Sequence, residues 1–249
     1  MKILPENYSP TEQCLQGRII AVTGAGAGIG KTMAQAYASY GATVILMGKT
    51  IAKLEHTYDT IEQAGYPQPA ILPIDFAHAS SEQFQAIHKD IEEHFGQLHG
   101  LLHNAAMLGE RTSIGSYTLT TWEKVIRTNV TAPFALTSAV LPLLQKSRNA
   151  SIIFTGSSVG MQGRAYWGAY AASKAATDNL MQTLADEMDA TSQIRVNSIN
   201  PGATRTAMRA DAYPAEDPTT VKPAESLIPL YTYLISEDSI GTNGQQFSA

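Results

Sequence analysis

The chain has 249 residues, 44% of them hydrophobic and 16% charged, a balance that belongs to a globular protein with a substantial core and excludes a disordered one. Its net charge of −5 offers no basic excess for nucleic acid, and no stretch approaches the roughly 18 uninterrupted apolar residues of a membrane helix. The single cysteine, Cys14, cannot form an intrachain disulfide and the first 17 residues hold no apolar signal core, so the expected setting is the cytoplasm.

Residues 1–17 read as an arm laid on the domain surface. From Arg18 onward, apolar runs rich in Val and Ile alternate with helix-patterned stretches. Arg18–Thr23 is a strand and Ile29–Tyr40 a helix; Thr43–Met47 and Ile51–Gln63 repeat the pair, as do Ala70–Asp75 and Ser81–Phe95. Leu98–Asn104 is the next strand. Thr121–Leu144 reads mostly as helix, with Pro133 marking a break and Pro142 an end. Ser151–Thr155 is a strand, Tyr170–Met188 a helix, Ile194–Ile199 a strand, Pro223–Ile235 a last helix and Gln245–Phe247 a short final strand. Continuously apolar strands are strands covered on both faces. Their alternation with helices predicts the α/β class: one Rossmann-type domain over residues 1–249, a doubly wound parallel sheet of about seven strands with right-handed crossovers. The least regular stretch, residues 202–222, holds Arg205, Met208, Arg209, Tyr213, Pro214 and Pro218, and is the candidate for a substrate lid.

Between the first strand and the first helix stands Thr23-Gly24-Ala25-Gly26-Ala27-Gly28-Ile29-Gly30. A pyrophosphate needs backbone N–H groups at a helix N-terminus and no Cβ atoms in the way, and the glycines meet that need. A glycine-rich turn without a ligand is the bland alternative. In dinucleotide folds a carboxylate about 20 residues on bonds the ribose 2′-hydroxyl. Here the second strand ends Met47-Gly48-Lys49-Thr50, with a cation and no acid. A 2′-phosphate carries about two negative charges, so Lys49 favours NADP over NAD, unless it is only a solvated surface residue.

Tyr170 and Lys174 are four apart on a predicted helix, hence on one face. An ammonium beside a phenol favours phenolate and so lowers the tyrosine pKa, as a proton donor to a carbonyl requires. By spacing alone such a pair is weak. Here it follows a buried strand that ends in Gly156-Ser157-Ser158.

With these motifs the chain resembles the short-chain dehydrogenase/reductase family from Arg18 to Phe247, and within it a bacterial YciK-like subgroup through Gly163–Tyr170 and Ile199–Arg209. The resemblance implies the strand order 3-2-1-4-5-6-7 and an NADP(H)-dependent oxidoreductase that moves a hydride between nicotinamide and a carbonyl or secondary alcohol. It implies a cofactor held by Thr23, Gly24, Gly26, Ala27, Gly28, Ile29, Gly30, Lys49, Asp75, Phe76, Asn104, Ala105, Tyr170, Lys174, Pro201, Gly202, Thr204 and Thr206. It matches Asn129, Ser157, Tyr170 and Lys174 to the catalytic set, with Ser158 the close competitor of Ser157. In that set Ser157 bonds the carbonyl, Tyr170 is the acid, Lys174 holds the ribose, and Asn129 orders a water. Ala106 replaces the family's glycine beside the cofactor. A homodimer or homotetramer is the implied assembly.

Ser157, Arg164, Trp167 and Tyr170 are the candidate substrate contacts. Tyr166 is a second aromatic beside them, and Arg205 and Arg209 are further cations for an anionic substrate. His99 and His103 sit four apart on a strand, which is no metal-binding pattern. The alternative to an enzyme is a catalytically silent NADP(H)-binding sensor or scaffold, against which the complete Asn129/Ser157/Tyr170/Lys174 set argues.

Overall fold

The computed structural model describes residues 1–249. Seven strands form one sheet: β1 (Ile19–Thr23), β2 (Thr43–Gly48), β3 (Ala70–Pro73), β4 (Gly100–His103), β5 (Ser151–Thr155), β6 (Arg195–Asn200) and β7 (Gln246–Ser248). All neighbours are parallel, in the order β3-β2-β1-β4-β5-β6-β7. β1 and β4 are adjacent but lead away in opposite directions. Their carboxyl ends therefore leave a crevice between diverging loops, the place where α/β sheets bind ligands.

Strand alternation divides the core in two. Ala21, Ile152 and Phe154 face one side, where Phe84, Ile87 and Ile91 of α3 (Ser81–Phe95), Leu136 and Val140 of α5 (Ala132–Gln145) and Met181 of α7 (Gly168–Asp189) pack on them. Ile20, Val22 and Ile153 face the other, against Met33 and Tyr37 of α1 (Gly28–Ser39), Leu54 and Ile61 of α2 (Ile51–Gln63) and Tyr231 of α9 (Ile228–Ile235). Burial on both faces explains the unbroken apolar runs. α3 starts in a capping box: the Ser80 hydroxyl accepts the Gln83 N–H (3.4 Å) and the Gln83 side chain accepts the Ser80 N–H (3.0 Å).

The stretch expected as one broken helix is three pieces. α4 (Leu119–Ile126) passes into a π-helical segment, Arg127–Thr131, and then into α5. Pro133 does mark the break: it sits in the first turn of α5, where a missing N–H costs nothing. Pro142 does not end the helix, which runs on to Gln145. The expected last helix, Pro223–Ile235, begins with a 3₁₀ turn, Ala224–Leu227, before α9. The stretch 202–222 is less irregular than its sequence. It holds α8 (Ala207–Ala212) and a 3₁₀ turn, Pro218–Thr220, and is closed at its base by a bridge between Thr204 and Lys222. The arm adds Lys2 beside Phe247 at the β7 edge, donating to the Gln246 carbonyl (2.8 Å) and accepting from Ser248 (2.9 Å), and buries Leu15. No helix is long and apolar enough to cross a membrane.

Candidate active site

The crevice is a cleft of about 720 Å³. Its floor is the turn after β1. Gly24 adopts φ +71°, and a Cβ there would lie 3.1 Å from Ala105 Cα; a Cβ at Gly30 would lie 2.3 Å from the Gly24 carbonyl oxygen. These positions admit no side chain, and the turn they form presents its backbone to the cleft at the start of α1. Ala27 precedes that helix without a side-chain cap, so its first N–H groups have no side-chain acceptor. Thr23 locks the turn to β4: its hydroxyl accepts the N–H groups of Asn104 (2.9 Å) and Ala105 (3.0 Å) and donates to Leu102 (3.2 Å). The backbone cradle fits a pyrophosphate.

Gly24, Gly26, Ala27, Gly28, Ile29, Lys49, Asp75, Phe76, Asn104, Ala105, Pro201, Gly202, Thr204 and Thr206 all line this cleft. Thr23 and Gly30 lie buried behind it and shape it. Just past the end of β2, Lys49 stands exposed in the wall, joined by Lys53 from the first turn of α2. Lys53 could not be placed here from the sequence, because Lys49 precedes α2 and only the fold brings the first turn of that helix to the cleft. A Cβ at Gly26 would meet Lys53 Cβ at 2.8 Å, so α2 packs directly on the phosphate turn. Burial pushes the Asp75 carboxyl up, but the His78 imidazole, the Ala77 N–H (3.0 Å) and Lys49 outweigh it and hold the group below its ordinary value.

The other half of the cleft gathers Ser157, Ser158, Tyr170 and Lys174. Ser157 precedes α6 (Ser158–Met161) without capping it, so its hydroxyl is left for the cleft, where it meets Tyr170; Ser158 is more exposed. Tyr170 and Lys174 share one face of α7, with the ammonium 5.5 Å from the phenol ring centroid. The Lys174 ammonium donates to the Thr155 carbonyl (2.7 Å). The expectation that it lowers the Tyr170 pKa does not hold in this arrangement. Burial raises the phenol to about 12, with the Ser157 hydroxyl offsetting only part of the rise. Burial also lowers Lys174 to about 8, and Asp178 opposes that fall.

Asn129 lies behind the cleft wall, in the π-helical segment. Its side-chain amide donates to the Met107 carbonyl (2.9 Å) and the Ser173 hydroxyl (3.0 Å), and its carbonyl accepts the Met107 N–H (2.7 Å). The side chain is therefore occupied in tying the loop after β4 to α7.

The three candidate arginines separate. Arg164 lines the cleft without a carboxylate partner. Arg205 is turned to the Val221 carbonyl. Arg209 is held in a two-pronged pair with Glu216 (2.7 and 2.6 Å) and lies 3.7 Å from the Tyr213 ring centroid. Trp167 lines the cleft beside Tyr170, ring centroids 5.8 Å apart, and Tyr213 faces it at 5.9 Å. Arg111, absent from the sequence reading, sits over both rings and bonds the Ala212 carbonyl. Tyr166 points away: it is 58% exposed with φ +71°. His103 stacks on Phe154 at 4.7 Å and bonds Thr137 (2.8 Å), while His99 accepts the Ile19 N–H (3.0 Å); both serve the fold.

A parallel sheet with a glycine turn at its crossover, and a Tyr–Lys pair with a serine across the same crevice, define a nucleotide-dependent oxidoreductase scaffold. The chain belongs to the short chain dehydrogenase family, whose model matches residues 18–217. It is 46% identical over 243 residues to the uncharacterized oxidoreductase YciK of Escherichia coli (strain K12), covering 98% of this chain and 96% of that one. A solved structure from Pseudomonas syringae shares 49% identity and a TM-score of 0.95, with 97% and 98% of the two chains covered. Another, from Shigella flexneri and complexed with NADP, shares 46% identity and a TM-score of 0.93, with 96% and 99% covered.

Proposed function

We propose that the protein is an NADP(H)-dependent carbonyl reductase or alcohol dehydrogenase with Tyr170 as general acid and base. The observation that carries this reading is the convergence of the Ser157 hydroxyl, the Tyr170 phenol and the Lys174 ammonium on one cleft whose other half is a phosphate cradle. When bound, the cofactor supplies or accepts the hydride. The turn from Thr23 to Gly30 holds its pyrophosphate, Lys49 and Lys53 answer a 2′-phosphate, and Asp75 with Phe76 receives the adenine. Asn104, Ala105, Pro201, Gly202, Thr204 and Thr206 line the remaining course toward Tyr170. The NADP found in the Shigella flexneri neighbour supports this choice of cofactor.

Ser157 orients the substrate oxygen by a hydrogen bond, and Tyr170 delivers the proton to it. A phenol near 12 is a reluctant acid; Lys174, once its charge is turned from Thr155 toward the ribose and phenol, lowers that value. Asn129 holds the loop after β4 and α7 in register for this pair. Trp167 and Arg164 are the substrate-facing walls, the one apolar and the other a free cation. Residues 202–222 form the lid. We further read the chain as cytoplasmic and as a homodimer or homotetramer joined through α4–α5 and α7, where Trp122 and Phe134 stand exposed; light scattering would give the mass.

A panel of aldehydes and ketones assayed by NADPH absorbance tests the activity. Turnover is expected for at least one class. Tyr170→Phe should lower it by about 100-fold or more while NADPH still binds. Binding without turnover across the panel would favour the silent sensor.

A further inference from the structure

Asp178 is a buried carboxylate that the chemistry above leaves without a role. It lies on α7 one helical turn beyond Lys174, on the same face, and is 7% exposed. Its Oδ1 has no hydrogen-bond partner; the Ser198 side chain bonds the group, and no cation lies within ion-pair distance of it. A carboxylate so placed is costly unless a charge answers it. The oxygen faces Gly156, where an added Cβ would lie only 3.1 Å away, so the glycine before Ser157 makes room for it. Beside them is a void of about 10 Å³ bordered by Ser157, Asp178, Ser198 and Asn200, the size of one water.

The groups around Lys174 contain no other anion. β5 offers the Thr155 carbonyl, and α6 packs Gly160 against the Lys174 stem. On its own helix stand Tyr170 and Ser173, and α9 brings Tyr231, whose hydroxyl meets that of Thr155 at 3.2 Å. Burial keeps both phenols neutral near neutral pH.

We propose that Asp178 is a positioning residue for Lys174: its carboxylate, seated behind Gly156 and Ser157 one turn along the same helical face, keeps the ammonium charged. The inference rests on the reading of Lys174 above, and its test separates the two. Lysine side chains of the full-length protein with NADPH are titrated by ¹³C and ¹⁵N NMR, with Lys174 assigned through Lys174→Arg. Burial is expected to hold the Lys174 midpoint below that of an ordinary lysine. Asp178→Asn should lower that point by about one pH unit or more, and Asp178→Glu, which keeps the charge, should leave it within about half a unit. If the Asn variant does not fold, Asp178→Ser replaces it. An unchanged Lys174 titration in the neutral variant overturns the proposal. A titration that moves while the pH profile of NADPH oxidation stays put supports Asp178 and removes Lys174 ionisation from the turnover mechanism instead.

Discussion

Lys49 is the residue we propose selects the cofactor. It stands at the end of β2 with no carboxylate on it, where relatives that use NAD place an acid against the ribose 2′-hydroxyl. A cation there gains a charge-assisted contact with a 2′-phosphate, of about 1.5–3 kcal/mol, or roughly 10- to 150-fold in affinity. Lys49→Asp is expected to weaken NADPH by about that factor and to spare or improve NADH, as measured by fluorescence titration of both. Equal losses for the two cofactors would assign discrimination elsewhere, with Lys53 the next residue to test. The sequence displayed Lys49 because its position follows from strand length alone. It hid Arg111, which reaches Trp167 and Tyr213 from a loop with no periodic pattern.

Among the elements, residues 202–222, which we propose as the lid, have the most to lose from one substitution. α8 is only six residues long and is too short to hold its place by propensity. It is held by Arg111 on the Ala212 carbonyl, by the Arg209–Glu216 pair and by the stack of both guanidinium groups on Tyr213. An exposed ion pair alone contributes about 0–1 kcal/mol, and a cation over an aromatic face about 0.5–2. Arg209→Ala removes one of each. Amide exchange over residues 205–221 should then quicken by about tenfold, with that of β5 and β6 unchanged, and KM for carbonyl substrates should rise more than kcat falls. Exchange rates that do not move would mean Arg209 is no latch.

At the scale of the whole molecule, the sheet is sealed on both faces, and its buried polar groups set how stability responds to pH. His103 lies inside β4, stacked on Phe154, and burial lowers its pKa from 6.5 to about 3. The unfolded chain therefore binds this proton more readily than the folded one. Its contribution is intact above pH 6.5 and is lost as pH falls toward 3, at up to about 1.4 kcal/mol per pH unit. Between pH 7 and 5 the loss from this residue is about 2 kcal/mol. His103→Gln retains a polar group for Thr137 without the titration. Urea midpoints at the two pH values should lie closer together in the variant than in the parent, and an equal separation would show that other groups govern the acid limb.

The sequence by itself determined the architecture. Strands covered on both faces must be apolar throughout, helices must carry one apolar side, and a phosphate turn must shed its side chains, so each leaves a local pattern. From these followed the strands, the phosphate turn, Lys49 and the Tyr170–Lys174 pair, with errors where the backbone bent: Pro142 inside α5, the π-helical segment around Asn129, the order within 202–222 and the 3₁₀ turn before α9. What only the tertiary structure decided were the pairings between distant segments. Arg164, Arg205 and Arg209 look alike in sequence; folding leaves the first free, turns the second to a carbonyl and binds the third to Glu216. Tyr170 and Lys174 share a helical face, as their spacing requires, yet burial raises the phenol against the expected direction and lowers the ammonium, and a carboxylate one turn on, Asp178, stands behind them. Desolvation and hydrogen bonding depend on what closes over a group, and that arrives from other parts of the chain.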